Sequence, residues 1–399
     1  MAQEGTFNAT LNVTSSSPNV GSVPVDIAFN ISAPNCDAPT NLTAEVENFN
    51  NVILTWNAPA GNVAMYNIYH GNAMVPFATV DSTLTTYTDE NLALGNYCYV
   101  VRALYNDGCL SLPTNSVCKN IIIMPDVDNI IYVTVNGAGD KDGSSWSNAT
   151  PYLQLAVTVA NTYNTIPQVW VAAGTYYGDS IATNNAFTMA EGVNVYGGFA
   201  GNEAANYDLS LRDFETNATV LDGQQVQRVL YQVANFAAVT TWDGFTIQNG
   251  SVSNENGGGV YLRGGAHLNN CKVINNTITG NNNTFGCGIY AYGNSTGSIQ
   301  INNCEISNNS GSYTYGGGIY TSYADVTNCL ISNNSSSRYG GGVYANSSSK
   351  FINCDIVNNQ CPASYNGGGI YNYNYNSSNT YTNCIVWGNK KGNVADLST

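Results

Sequence analysis

At 399 residues the chain exceeds one ordinary hydrophobic core, so two or more domains are expected. Charged residues make up only 9% of it, against about a quarter in ordinary soluble domains. A formal charge of −15 with 11 basic residues leaves no Lys/Arg cluster for nucleic acid or for an anionic lipid surface. Hydrophobic content of 43% suffices for folding, and 28 tyrosines with abundant Asn, Ser, Thr and 40 glycines suit exposed β architecture. No apolar run approaches the roughly 18 residues of a membrane span, so no membrane insertion by this segment is expected.

The first residues, MAQEGTFNATLNV, carry neither the basic nor the apolar stretch of a signal peptide. Two readings stay open, a cytosolic protein or part of a longer secreted precursor. Residues 1–35 hold two strand-like segments, Thr6 to Thr14 and Val23 to Ile31. A lone hairpin is marginal in water, so they read as the last two strands of an Ig-like domain whose beginning is missing. Residues 36–124 contain short alternating segments, among them Asn51 to Trp56, Tyr66 to Tyr69 and Tyr97 to Ala103. Their spacing predicts a β-sandwich, with Trp56 as its core tryptophan and Tyr97 as a tyrosine corner. Pro125 to Asp128 make a short linker.

From residue 129 to 399 the sequence predicts a parallel β-helix. Its first part is irregular: strands near Ile130 to Val135, Gln168 to Ala172, Val193 to Tyr196 and Gly244 to Ile247. A short helix over 151–160, with Pro151 in its first turn, would cap the open end. Beyond it a glycine triplet followed by an aliphatic residue and tyrosine recurs, starting at 257, 316, 340 and 367, with the variant Gly286-Cys287-Gly288-Ile289-Tyr290 between. A second motif interleaves: Asn270-Cys271, Asn303-Cys304, Asn328-Cys329, Asn353-Cys354 and Asn383-Cys384. The first four are closed by an Asn pair such as Asn308-Asn309. Steps of 24–30 residues built from short strands match one coil each of a parallel β-helix, right-handed by the crossover rule. The two-residue strand period turns Val260, Ile289, Ile319, Val343, Ile370 and the cysteine series inward. Cys271, Cys304, Cys329, Cys354 and Cys384 are then buried free thiols, with Asn and Gly at corners of positive φ.

The same period turns Tyr261, Tyr290, Tyr320, Tyr344 and Tyr371 outward as an exposed ladder. It serves either to stabilise the sheet by stacking or as a platform for sugar rings or another protein. Acids from 257 onward are Glu305, Asp325, Asp355 and Asp396. Glu305 and Asp355 fall two coils apart, about 10 Å by coil stacking, with no basic partner in phase. Asp140-Lys141-Asp142-Gly143 lacks the further acids of a calcium loop. His70 and His267 are isolated, and no phosphate-binding loop occurs, so no metal site and no cofactor are expected. The irregular region is richer, with Asp179, Asp208, Arg212, Asp213, Asp222 and Asp243.

Cys36-Asp37-Ala38-Pro39, Leu54-Thr55-Trp56, Tyr66-Asn67-Ile68-Tyr69 and Gly95-Asn96-Tyr97-Cys98-Tyr99 resemble the fibronectin type III modules of secreted Bacteroidetes proteins. The GGG[IV]Y and NNC repeats resemble those of chlamydial polymorphic outer-membrane proteins. Asp140 to Ala149, Gly174-Thr175-Tyr176 and Cys384 to Asn389 resemble the choice-of-anchor Q β-helix proteins. The resemblance implies an all-β chain, a fibronectin-III-like sandwich followed by a right-handed parallel β-helix of the pectate-lyase-like kind. It implies export, by the type IX route for a chain that continues beyond Thr399, and O-glycosylation at Asp81-Ser82-Thr83 and Asp179-Ser180-Ile181. In a fibronectin-III topology the first strand starts beside the last hairpin turn near Gly108, which implies a Cys36–Cys109 bridge. Cys98 and Cys118 are equidistant from Gly108, so that hairpin would set them opposite each other for a second.

Two function classes follow. The first is an extracellular, non-enzymatic surface or adhesive protein whose β-helix face contacts surface glycans or proteins, with self-association into a larger assembly as a further option. The second is a polysaccharide lyase or glycoside hydrolase with its site in coils 130–250.

Overall fold

Alternation of apolar and polar side chains is what lets a strand bury one face. In Asn51–Asn57 the residues Val52, Leu54 and Trp56 are buried, whereas Thr55 and Asn57 are exposed. The computed structural model describes residues 5–13, 23–31, 36–47, 50–178, 184–295, 298–373, 378–392 and 394–395. It divides into two compact units, Met1–Ile122 and Ile123–Thr399.

In the first unit Asn51–Asn57 lies between Thr40–Glu47 and Thr86–Asp89 in an antiparallel sheet. A second antiparallel sheet runs Ala78–Asp81, Val63–His70, Gly95–Tyr105, Val117–Ile121. Trp56 of the first sheet meets Tyr66 of the second edge to face, with ring centroids 5.3 Å apart, a contact favoured by the ring quadrupoles. The Tyr97 hydroxyl donates to the Ala93 carbonyl at 3.1 Å and so forms a tyrosine corner. Disulfides join Cys36 to Cys109, with Cα atoms 6.2 Å apart, and Cys98 to Cys118 across directly paired strands. Gly5–Val13 and Val23–Ile31 form a separate antiparallel pair.

The second unit is a right-handed parallel β-helix built on three long sheets, of nine, eight and seven strands among the described residues. One coil runs Val260–Arg263 in the third sheet, Ala266–Asn269 in the first, Lys272–Ile274 in the second, and returns to the third at Ile289–Tyr292. Coils begin earlier than the glycine repeats reveal. Gln168–Ala172, Gly174–Tyr177 and Asn185–Thr188 already make one turn across all three sheets. The helix is Leu153–Ala160, and its buried Leu153, Ala156, Val157 and Ala160 fall at i, i+3, i+4 and i+7. That face packs on Ile130–Val133 and Gln168–Ala172, the strands at the N-terminal edge of the first sheet. Tyr152 occupies the N-cap, so Pro151 precedes the helix instead of opening its first turn.

The two sequence motifs meet inside the coil. After each second-sheet strand, Asn275, Asn308, Asn333 and Asn358 adopt φ of 55–58°, a left-handed corner that Asn tolerates well. Each turns the next asparagine inward, and Asn276, Asn309, Asn334, Asn359 and Asn389 form a buried ladder. Asn334 shows the pattern: its Nδ2 donates to Ile306 O at 2.8 Å and to Asn359 Oδ1 at 3.0 Å. Its Oδ1 accepts from the Asn309 amide N–H and Nδ2, both at 3.0 Å. Every amide hydrogen and the oxygen are thus used, which is the condition for burying such a group without penalty. The third glycine of each triplet lies against this ladder. A Cβ on Gly318 would sit 2.8 Å from Asn334 Nδ2, inside any tolerable contact.

At the other corner the cysteines follow Asn270, Asn303, Asn328, Asn353 and Asn383, all at φ of 51–54°. Cys271, Cys304, Cys329 and Cys354 are buried free thiols; Cys384, in the last coil, is half-buried. Cys329 Sγ lies 3.2 Å from Thr327 O and 3.4 Å from Ile301 O, so the thiol has acceptors in two coils.

Replacing Asn334 with Ala should cost on the order of 3–5 kcal/mol, because groups in two neighbouring coils lose partners at once. Asn333→Gly should be near neutral and Asn333→Ala should cost about 1 kcal/mol. Denaturant midpoints of the three variants test this ranking, and a loss below about 1 kcal/mol for Asn334→Ala would refute the ladder's role. In native thiol labelling, Cys384 should react first of the five ladder cysteines. Cys304 should stay unmodified, since burial pushes its thiol well above the usual range. Equal labelling of all five would mean the coil phase is wrong.

Candidate functional site

The outward positions of the third sheet are aromatic because the motif places tyrosine after the inward aliphatic residue. Parallel in-register pairing then stacks them: Tyr231, Tyr261, Tyr290, Tyr320, Tyr344 and Tyr371 follow one another with centroids 4.8–5.5 Å apart. The spacing is that of the coils themselves, so the fold imposes the stack. Tyr231 is a rung the repeats did not reveal, since Val229-Leu230-Tyr231 lacks the glycines before it.

The ladder is not the exposed platform that alternation alone predicts. Tyr290, Tyr320 and Tyr344 retain only 9%, 6% and 4% of their surface, while Tyr261 and Tyr371 are half-buried. The loops returning from the second sheet to the third bring Phe285, Tyr315 and Tyr339 over the ladder. Phe285 lies 4.9 Å from Tyr320, Tyr315 lies 5.5 Å from Tyr344, and Tyr339 lies 4.4 Å from Tyr371. Each covering ring sits immediately before the first glycine of a repeat, a signal present in the sequence and missed. Burial also pushes the Tyr290 hydroxyl up to about 12, helped by its neighbour Tyr261, so it stays a proton donor at physiological pH.

What remains accessible lies on the flanks: Tyr292 is 39% exposed, Tyr313 45% and Tyr373 61%. Arg228 stacks over Tyr231 and Tyr261, Arg263 over Tyr261 and Tyr292, and Arg338 over Tyr313, Tyr315 and Tyr365. The result is an amphipathic face of ring edges, hydroxyls and guanidinium groups.

The acidic candidates of the irregular region are placed differently. Asp208 caps the turn at Ser210, and Asp213 accepts the Glu215 and Thr216 amides. Backbone bonds hold both carboxyls below their usual range. Asp222 accepts from the Gln224 amide and from the Gln248 and Asn249 side chains. Asp243 is bonded to Arg212 at 2.8 Å and to Asn270 at 2.9 Å. Arg212 in turn lies over Tyr196, Phe199 and Phe214. Asp179 and Asp396 lie outside the described residues, as does the Asp179-Ser180-Ile181 motif.

On the second sheet, register sets Lys272, Glu305, Leu330 and Asp355 in one outward column. A basic residue is therefore in phase with Glu305 after all. Its ammonium group, however, is paired with Glu215, and Leu330 separates the two carboxylates. Among the described residues no group of three or more His, Cys, Asp or Glu is placed to hold a metal ion. No described helix is long and apolar enough to cross a membrane.

Truncating Tyr320 to Ala should destabilise by about 3 kcal/mol, because it opens a hole between two aromatic layers. Tyr292→Ala, at the accessible flank, should stay within about 0.5 kcal/mol. Thermal unfolding of both variants decides whether burial is assigned correctly.

No curated protein matches this chain. Among solved structures, an Fn3-like protein from Clostridium thermocellum is 32% identical, covers 21% of this chain and 92% of its own, and gives a TM-score of 0.19. The spore cortex lytic enzyme SleM of Clostridium perfringens is 18% identical, covers 27% of this chain and 36% of its own, with a TM-score of 0.21. A family 28 exopolygalacturonase of Yersinia enterocolitica is 12% identical, covers 90% of this chain and 98% of its own, with a TM-score of 0.20. Residues 229–395, the coils that carry the asparagine and tyrosine ladders, match the family described as a right handed beta helix region.

Proposed function

We propose that this protein is a non-catalytic, extracellular surface protein that uses the tyrosine face of its β-helix to contact glycans or other proteins. The β-helix is shared by polysaccharide-degrading enzymes and adhesins, so fold alone decides neither way. The observation that carries the reading is the accessible margin of the tyrosine ladder, where Tyr292, Tyr313 and Tyr373 are exposed, with Arg263 over Tyr292 and Arg338 over Tyr313, and Tyr261 and Tyr371 are half-buried. Tyrosine and arginine are the side chains that interfaces use most, because each offers apolar surface and hydrogen bonds together. The two disulfides of the sandwich accord with an oxidising compartment. Among the described residues, Asp208, Asp213, Asp222 and Asp243, which a lyase or hydrolase in the irregular coils would draw on, are committed to turns, neighbouring amides and Arg212, which favours adhesion over turnover.

The test is a screen of the full chain against glycan and surface-protein arrays, run beside polysaccharide turnover assays with and without Ca²⁺. Binding should fall at least about tenfold in the Tyr292→Ala/Tyr373→Ala double variant, the loss of about 1.4 kcal/mol, with unfolding unchanged. Turnover that disappears on chelation or in Asp243→Asn would replace this reading with an enzymatic one.

A further inference from the structure

At the N-terminal end of the tyrosine ladder lies a cavity of about 360 Å³, lined by Asn184, Asn185, Arg228, Glu255 and Asn256 with the rings of Tyr231 and Tyr261. Its size falls in the range of about 300–1,000 Å³ typical of small-ligand sites. Arg228 invites an anionic reading, since guanidinium forks are the usual grip on carboxylate and phosphate. The hydrogen bonds argue otherwise. Arg228 Nε donates to Gly257 O at 2.8 Å, and Nη1 donates to Asn185 Oδ1. Nη2 donates to Glu255 Oε2 at 2.8 Å and to Asn256 O at 2.9 Å. Four of the five N–H groups of a guanidinium are thus engaged, and no free fork points at a ligand. The guanidinium also stacks over both tyrosine rings, which fixes it as part of the wall.

The lining carries one positive and one negative side chain, paired with each other, so its formal charge is zero. Glu255 remains 48% exposed at its side chain and also accepts from Asn184 Nδ2 at 3.0 Å. Side-chain amides and a carboxylate provide donors and acceptors together, and tyrosine provides ring surface and a hydroxyl. A polyhydroxylated ring with an apolar C–H face meets both demands, whereas an acidic sugar would find Glu255 and no available cation. We infer that this cavity is a subsite for one neutral pyranose unit, placed where a glycan lying along the tyrosine face would end. The inference rests on the reading of that face as a glycan contact.

Saturation-transfer NMR on the full chain, with neutral methyl pyranosides and with galacturonate and glucuronate as probes, tests it. Wild type should show transfer to at least one neutral glycoside and none to the uronates. Asn184→Gly/Glu255→Ala should weaken neutral binding at least about tenfold; glycine keeps the positive φ of 57° at residue 184. Glu255→Gln can keep a bond to Arg228 yet leaves its charge unbalanced, so it should gain uronate binding; this gain decides the matter even where the double variant fails to fold. Array binding without any monosaccharide signal, or uronate binding by wild type, would overturn the subsite and leave the face reading standing. Absence of glycan binding on the array would overturn both.

Discussion

Everything in the solenoid depends on how closely one coil can approach the next at the corner beneath the glycine triplets. There the buried asparagine ladder exchanges hydrogen bonds between coils, and the third glycine of each triplet lies against it. Neither motif works without the other. A side chain at Gly318 would strike Asn334 Nδ2, and without the asparagine the backbone amide of Asn309 would lose its acceptor. The middle glycine meets the same limit from another side, since a Cβ on Gly317 would fall on the Gly341 carbonyl oxygen of the next coil. The repeat of 24–30 residues is therefore the signature of one contact made again in every coil. The ladder begins where Gly250 donates its amide to Asn276 Oδ1 at 2.7 Å, because glycine there supplies a donor and no side chain.

Register then fixes the outer surface. Parallel in-register stacking brings like residues together, so any outward residue written into the repeat becomes a column. Tyrosine in that position stacks at coil spacing without further adjustment. The returning loops use the same logic: Phe285, Tyr315 and Tyr339 pile up as a second aromatic layer because each precedes the same glycine. Two aromatic layers outside a narrow aliphatic interior explain how a chain with 28 tyrosines and 9% charge finds enough apolar contact. Outer burial supplements a core whose cross-section is only a few side chains wide.

The sequence was most legible where the repeats recur. Strand direction, inward aliphatic residues, the cysteine phase and the positive-φ corners all follow from period and motif. Tyrosine exposure was not legible from the two-residue period, which tells which side of a sheet a residue faces and nothing about what a loop lays over it; the aromatic residue before the first glycine of three repeats was the signal. The coils before residue 250 were obscured for a related reason. Loops such as 200–218 intervene between strands there, and Arg212, stacked between Tyr196 and Phe214, holds that loop in place without any repeated motif. The phase of Lys272 with Glu305 was missed because a long return loop separates them in sequence, whereas register makes them neighbours.

The few charges are used in a consistent way. Each of the five arginines, Arg102, Arg212, Arg228, Arg263 and Arg338, lies over at least one aromatic ring. In a chain of net charge −15, long-range fields would steer cationic partners to most of the surface. Arg263 and Arg338 lie over rings of the tyrosine face and add positive charge there, whereas the charge of buried Arg228 is balanced by Glu255. The face thus combines guanidinium groups with tyrosine rings and hydroxyls. Asp81, Asp208 and Asp213 take the complementary role of capping backbone turns, bonded to the Thr83, Ser210 and Thr216 amides. Because those bonds favour the ionised carboxyl, what they add to stability is present above the unfolded pKa. It is lost only as pH falls through the depressed native values. Acid groups thus secure loops while arginines organise the aromatic surface.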